Sequence, residues 1–471
     1  MLKINTALTI LLFLKIKNLV FLIYTIEMNN NKSSKKKVWF GIILTIFVIS
    51  LSAVALIFYF KEGFNFKRVN SDIYAKDSGD GSSDTNKHLS KEYLKAVLPE
   101  TDTNEKSIKY SDYESYSKAI AEDDSAGMRI KRIYSGKRIN IAVTGVDSRL
   151  GDSYRHADAN HVISILVDSG KIEIISVPRD TYSDAGYDDT TGQNKLTIVR
   201  AAKGQKTYLK ELARIAEIDK IHYFVEFGFS QAIGLIEMLG HSNAAGTLRV
   251  LRSRTGLGGD DFQRVYTQAQ FIKQNLLSNF ENFNSFKGDL IIRAGLALVE
   301  TDLTASKVTE IRDILKSKNF GQDDDVTIKI RPPFPVKFKI YDLNNPEVIA
   351  ALTKKIDSFN ESHNHDSVDT DIDKVVTRRL TKTIENTIKS KYAQSNIRAM
   401  NTLYQQRAWL QISDLHLRDS IRDLFCQTLI KVYLAKKDSV RSKAIQNYLE
   451  LEKKVLKSKE NLSTEKINSN Y

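Results

Sequence analysis

Residues 38–60, VWFGIILTIFVISLSAVALIFYF, run for 23 positions without a charged side chain. At about 1.5 Å of rise per residue, a helix of that length crosses a hydrocarbon core of roughly 30 Å with some tilt. Trp39 and Tyr59 stand near the two ends, where amphipathic aromatic rings favour the membrane interface. KSSKKK precedes the run and the mixed KEGFNFKR follows it. The positive-inside rule then keeps residues 1–37 in the cytoplasm and puts everything after residue 60 outside. A cleaved signal peptide is the alternative, but the run is longer than the usual apolar core of about 7–15 residues and lacks an A-x-A type site. Within residues 1–27 an apolar stretch is interrupted by Lys15 and Lys17, whereas Met28 opens MNNNKSSKKKVWF. Met28 is therefore the expected first residue of the native protein.

At 471 residues the chain exceeds one small core and is expected to hold two to three domains. Residues 61–137 are mostly polar, with DSGDGSSDTNK as the extreme. Such a composition buries too little apolar surface to fold alone and reads as a tether carrying short helices. Residues 138–343 alternate strand-like and helix-like segments. RINIAVTGV, HVISILVD and KIEIISVP are β-branched apolar runs, and DVTIKIRPP with VKFKIYDL reads as a late strand pair. Helical patterns occupy 205–217, 229–239 and 262–279. This alternation predicts an α/β layered domain. Residues 344–471 contain no Gly, and no Pro after Pro346. Their spacing predicts three amphipathic helices and a frayed tail after about residue 458. Breaks at Ser413-Asp414 and Asp438-Ser439 offer the N-cap residues of the second and third.

The net charge of +13 points to an anionic partner: nucleic acid, anionic lipid or a phosphorylated substrate. No nucleic-acid-binding motif accompanies it, so nucleic acid is the weakest of the three. The single cysteine, Cys426, excludes an internal disulfide, and none of the eight histidines stands at zinc-ligand spacing.

Chemistry-bearing residues gather after two of the expected strands. The first strand ends near Gly145 and is followed by Asp147, Arg149, Asp152, Arg155 and Asp158. The C-terminal edge of an α/β sheet is where ligands collect. Paired carboxylates there suit Mg²⁺ shared with phosphate oxygens, and arginine forks suit the phosphates themselves. A loop of Asp and Arg is, more ordinarily, just solvated. KIEIISVPRDT delivers Arg179 and Asp180 to the same edge. Further on, Arg252 and Arg254 are two apart, which on a strand gives them one face. Asp261, Arg264 and Gln268 then share one side of a helix. The bland reading of that helix is an ion-paired N-terminus.

The ordered set GVDSR, R-x-x-D, SVPRDT and RSR followed by DDFQR-x-x-x-Q resembles the LytR-CpsA-Psr family, from about residue 138 to about 300. The resemblance implies an α/β fold with a mixed sheet packed between helices, held outside the membrane by one transmembrane helix. It also implies transfer of a glycopolymer phosphate from a polyprenyl-pyrophosphate carrier to peptidoglycan or a similar envelope acceptor. On that resemblance Asp147 and Asp158 hold Mg²⁺. Arg149, Arg179, Arg252, Arg254 and Arg264 surround the pyrophosphate, with Asp261 positioning one of them. Arg155, Asp180, Lys195 and Gln268 contact substrate. The chain departs from the family at RHAD, at Thr197, and at Thr267 and Ala269, where an Arg and a Gln are lost. Those losses favour a second reading, a non-catalytic polyprenyl-phosphate or wall-binding protein. A membrane-bound transcriptional attenuator is a third, without a cytoplasmic DNA-binding element to support it. The helices at 205–239 and 269–277 hold enough Leu, Ile and Phe to line a lipid tunnel, though such residues are more commonly core. The C-terminal helices offer no chemistry and could recruit a protein partner or dimerise; Arg418 there serves as a control residue remote from the site.

Overall fold

The computed structural model describes residues 117–118, 121, 136–254, 257, 261–333, 337–362 and 372–468. The apolar run 38–60, Met28 and most of the tether lie outside these residues. Among the described residues no helix is long and apolar enough to cross a membrane.

Six strands form one mixed sheet in the order β5-β4-β1-β2-β3-β6. β1 (Arg138–Arg149) and β2 (Asp152–Leu166) make an antiparallel hairpin, and β3 (Lys171–Ser176) continues it. β4 (Tyr223–Phe227) runs parallel to β1, and β6 (Val326–Ile330) runs parallel to β3. β5 (Glu300–Thr301) is a short antiparallel edge. KIEIIS alternates at its start, but Ile174, Ile175 and Ser176 are buried in succession, as in a strand covered on both faces.

The polar stretch after Gly145 is not the loop expected from sequence. β1 continues through it to Arg149, and only residues 150–151 turn. LRVLRSR is not a strand either: α3 (Ala244–Arg252) is a helix capped by Asn243, whose side chain accepts from Gly246 N. Its apolar residues Leu248, Val250 and Leu251 are buried in one apolar cluster with Ile233 and Ile349. Arg252 and Arg254 are thus separated by the end of a helix.

The two faces of the sheet are packed unequally. On one lies α1 (Leu196–Ile215), whose Leu196, Val199, Tyr208 and Leu212 are wholly buried against Ala142, Val162 and Ile175. Residues of the 205–217 pattern are therefore ordinary core. Across the other face lie α4 (Asp261–Asn279) and α6 (Ala305–Ser317). There Ile139, Val143, Ile163, Tyr223 and Val225 of the sheet, with Ile272 and Leu276 of α4, stay only half-buried. α2 (Phe229–Met238) and α5 (Phe286–Leu298) complete the layers.

VKFKIYDL forms no strand. Its backbone hydrogen-bonds to glutamine side chains of α4: Gln263 accepts from Lys339 N and donates to Lys339 O, and Gln274 spans Tyr341 O and Leu343 N. A row of side-chain amides replaces the neighbouring strand, satisfying groups that burial would otherwise leave unpaired.

After residue 343 the core continues without a break. α7 (Pro346–Ser362) buries Val348, Ile349, Leu352 and Ile356 against Leu248 and Leu251 of α3. The helical part comprises α8 (Ile372–Lys389), α9 (Gln394–Gln406), α10 (Leu415–Ala435) and α11 (Ser439–Asn468). It has more helices than the three expected, and α11 runs past residue 458. Asp414 caps α10 through Leu417 N, and Asp438 accepts from Arg441 N at the start of α11. Trp409, Phe425, Leu429 and Leu380 form its centre, shared with Leu298 of α5 and Leu235 of α2. Arg418 is buried within it and bonds both oxygens of Glu237 on α2 at 2.8 and 2.9 Å, so it is no surface control.

Candidate active site

Asp147 and Asp158 sit at the two places where the β1–β2 register slips. Gly145 opposes Ala159, Val146 opposes Ala157, and Ser148 opposes Ser153. Asp158 is skipped in the first slip and Asp147 in the second. Such bulges bend the strand and re-aim its side chains, which is how a continuous hairpin can present two carboxylates at one edge. A Cβ on Gly145 would come within 3.1 Å of Ala159 Cβ, so the strands close tightly just before the slip.

Arg179 follows the stop at Pro178 and is pinned through its backbone: Thr197 N donates to Arg179 O, and Leu196 N to Thr181 O, both at 2.9 Å. The first turn of α1 thereby sets both the arginine and Lys195, its N-cap residue. Arg179 Nη1 donates to Asp158 Oδ1 at 2.6 Å, and its Nε to Asp180 Oδ2 at 3.3 Å. Lys195 Nζ lies 3.7 Å from the other oxygen of Asp180. Burial, helped by the nearby Asp261, pushes the Asp180 carboxyl up to about 6, although Lys195 and Arg264 pull the other way.

Arg252 ends α3 with its guanidinium 4.8 Å from the centre of the Phe229 ring. The residue as a whole is exposed, yet its guanidinium is crowded by the surrounding protein. Desolvation by that crowding lowers its pKa, Asp158 and Asp147 act to raise it, and Arg179 lowers it further. An arginine stays charged throughout. What matters is that these four groups act on one another and so share one field.

Behind them, Arg264 Nη2 and Arg254 Nε approach the same oxygen of Asp261, at 2.6 and 3.5 Å. Asp261 and Arg264 are about 6% and 5% exposed, yet their contact is not aligned as a hydrogen bond. Both Asp261 oxygens, and Nε and Nη2 of Arg264, have no hydrogen-bond partner. A buried ion pair with unused donors and acceptors is costly to hold; a bound anion could accept from the free donors of Arg264, though not satisfy the Asp261 oxygens.

Gln268 is locked from two sides. Its Nε2 donates to Leu251 O at 2.8 Å and its Oε1 stands 3.2 Å from His161 Nε2. His161 Nδ1 in turn lies 2.7 Å from Ser176 Oγ. Complete burial drives the His161 pKa down to about 4, against the bond to Gln268, and Arg264 lowers it further. With Gln268 Oε1 able only to accept, the neutral ring carries its proton on Nε2 and accepts from Ser176. His161 was not among the residues singled out from sequence. A His opening the apolar run HVISIL, at a position facing the core, is the signal that could have found it.

The hairpin and the loop after β3 therefore bring together Asp147, Asp158, Arg179, Asp180, Lys195 and Arg252, with Arg254, Asp261, Arg264 and Gln268 behind. Arg155 is not brought in: it is exposed, at φ 53°, and 3.8 Å from Glu300 on the edge strand. Arg149 closes β1, and its side chain lies outside the described residues.

Among the described residues no group of three or more His, Cys, Asp or Glu gathers as a metal cage. Two carboxylates in one field do fit Mg²⁺, which takes one or two protein ligands and completes its shell with phosphate oxygens and water.

No curated protein sequence matches the chain. Solved structures similar to it include TagV of B. subtilis, 17% identical, covering 48% of this chain and 99% of that one at a TM-score of 0.35. Lin1025 of Listeria innocua, also 17% identical, covers 47% and 99% at 0.32. TagT bound to LIIa-WTA, 14% identical, covers 49% and 94% at 0.32. The model of the LytR_cpsA_psr family matches residues 103–241, which include the carboxylate hairpin, Arg179 and Lys195 but stop short of Arg252. Residues 103–241 are thus a LytR-CpsA-Psr family region.

Proposed function

We propose that the chain is a membrane-anchored phosphotransferase working outside the cytoplasmic membrane. It moves a glycopolymer from a polyprenyl-pyrophosphate carrier onto peptidoglycan or a similar envelope acceptor. The observation that carries this reading is a juxtaposition. The arginine and aspartate cluster stands at the sheet edge, and the half-buried apolar strip of Val143, Ile163 and Val225 leads away from it along one face. A pyrophosphate on a polyprenyl tail has just those two halves.

Phosphoryl transfer asks mostly for positioning and charge neutralisation. Arg179 and Arg252 are placed to bind phosphate oxygens, and the under-bonded Arg264 offers donors from behind. Mg²⁺ on Asp147 and Asp158 would add Lewis-acid neutralisation of the phosphates when bound. An acceptor hydroxyl attacks the sugar-linked phosphorus, the bridging P–O bond breaks, and the lipid phosphate leaves with the electron pair. Asp180, which titrates near neutrality, is the side chain best suited to take the hydroxyl proton.

Thr267 is fully buried and its hydroxyl accepts from Gln263 Nε2 at 3.1 Å, so no guanidinium stands at this position. That observation favours the second reading, a carrier-binding protein without turnover. Incubating the full chain in detergent with a polyprenyl-pyrophosphate-linked oligosaccharide, Mg²⁺ and peptidoglycan fragments separates the two. Release of polyprenyl phosphate with labelled wall product supports the transferase; tight donor binding without either product supports the binder.

A further inference from the structure

The helices after residue 371 reach back to the hairpin that bears Asp147. Leu150, at its tip, packs against the apolar cluster centred on Trp409. Gly151, at φ +86°, donates its N–H to Gln406 Oε1 at 2.9 Å. Arg379 of α8 lies flat over the same glycine: a Cβ there would stand 3.1 Å from Arg379 Nη2. The missing side chain leaves room for that approach, since a Cβ there would press on the guanidinium. Two contacts, Leu150 in the apolar cluster and Gly151 N–H on Gln406, thus join the helices to the tip, and Arg379 lies beside them.

The other arginines at this junction are spoken for. Arg418 holds Glu237, and Arg422 holds Asp419, Asp423 and Glu452. Arg379 is exposed, and among the described residues no acidic side chain pairs with it. Arg378 and Lys382, one turn or less away on α8, are exposed as well. A cation held in a set place beside the site, without a protein counter-ion, is a binding group for an anion.

We propose that Arg379 is a substrate-binding residue that takes a phosphate or carboxylate of the glycopolymer as the polymer leaves the site past the hairpin tip. The module beyond the family region would in this way select anionic polymers. The inference rests on the transferase reading for its substrate, but its test does not depend on turnover. The full chain in detergent micelles is titrated with a fluorescent glycerol phosphate oligomer and, in parallel, with a neutral dextran oligomer of equal length. Arg379→Ala is expected to weaken the anionic oligomer about fivefold, the equivalent of about 1 kcal/mol at an exposed charge. It should leave dextran binding and the melting temperature unchanged, and Arg379→Lys should recover most of the affinity. Equal oligomer affinity in wild type and Arg379→Ala would overturn the proposal, as would an effect seen only on phosphatidylglycerol vesicles. Oligomer binding that depends on Arg379 in a chain showing no transfer would sink the transferase reading and leave this one standing.

Discussion

Arg179 and Arg252 are the two arginines to which the proposed reading gives phosphate binding. Arg179 already spends one nitrogen on Asp158 and another on Asp180, which fixes its fork without filling it. A charge-assisted bond to phosphate is worth about 1.5–3 kcal/mol, so Arg179→Ala or Arg252→Ala should slow transfer by about ten- to a hundredfold in single-turnover kinetics. Lys at either position should restore little, since a point charge cannot reproduce the fork. Arg398→Ala, at an exposed position on α9, is the control expected to stay near wild type. Asp180 and His161 make a second, separable prediction. Asp180 titrates at about 6 when folded and near 3.8 when unfolded, so between those values the folded state holds more protons and acidification stabilises. His161 titrates at about 4 when folded and 6.5 when unfolded, so over that span the unfolded state holds more protons and acidification destabilises. The two nearly offset. Melting temperatures between pH 8 and pH 4 should therefore fall more steeply in Asp180→Asn than in wild type, and less steeply in His161→Asn. Parallel slopes in all three would mean that neither burial is as described.

Elements show where the sequence could be read and where it could not. β1, β3 and β6 were legible because β-branched alternation leaves few other options, and Asp414 was legible as a cap because its chemistry is local. The hairpin extension through Asp147 was not, because its polar residues earn their strand conformation from the partner strand and its bulges. LRVLRSR misled because two arginines two apart fit a strand, whereas burial of Leu248 and Leu251 against α7 decides for a helix. VKFKIYDL misled because its hydrogen-bonding partners are side chains on a helix, which no local pattern announces. The site residues near β1 and β3 were readable as a set; the Ser176–His161–Gln268 line that orients one of them was not, since it joins three distant segments. Arg418 was misjudged for the same reason. Removing it strands Glu237 beside the core, and Arg418→Ala should lower stability by up to about 3–5 kcal/mol, less in so far as Glu237 keeps some solvent. Urea midpoints of that variant against Arg398→Ala check it.

At the scale of the whole molecule a basic chain, an apolar run at 38–60 and an arginine-bearing sheet edge fit the one topology proposed above. A reporter fused after residue 110 should be active only if it works outside the cytoplasm, and cytoplasmic activity would misplace every residue of the site. Mass analysis of the native protein should recover no peptide from residues 1–27 if Met28 initiates it. The α/β region and the helical part share a core through Leu298 and Leu235, so they are expected to unfold together in a single calorimetric transition. The central claim is transfer itself. With a polyprenyl-pyrophosphate-linked oligosaccharide and a peptidoglycan acceptor, the full chain should release polyprenyl phosphate in step with labelled wall product. Chelation should stop it, and Arg179→Ala should slow it at least tenfold per folded molecule, beyond any stability lost by freeing Asp158 and Asp180. Donor bound but never turned over, or equal turnover in wild type and Arg179→Ala, would contradict the account.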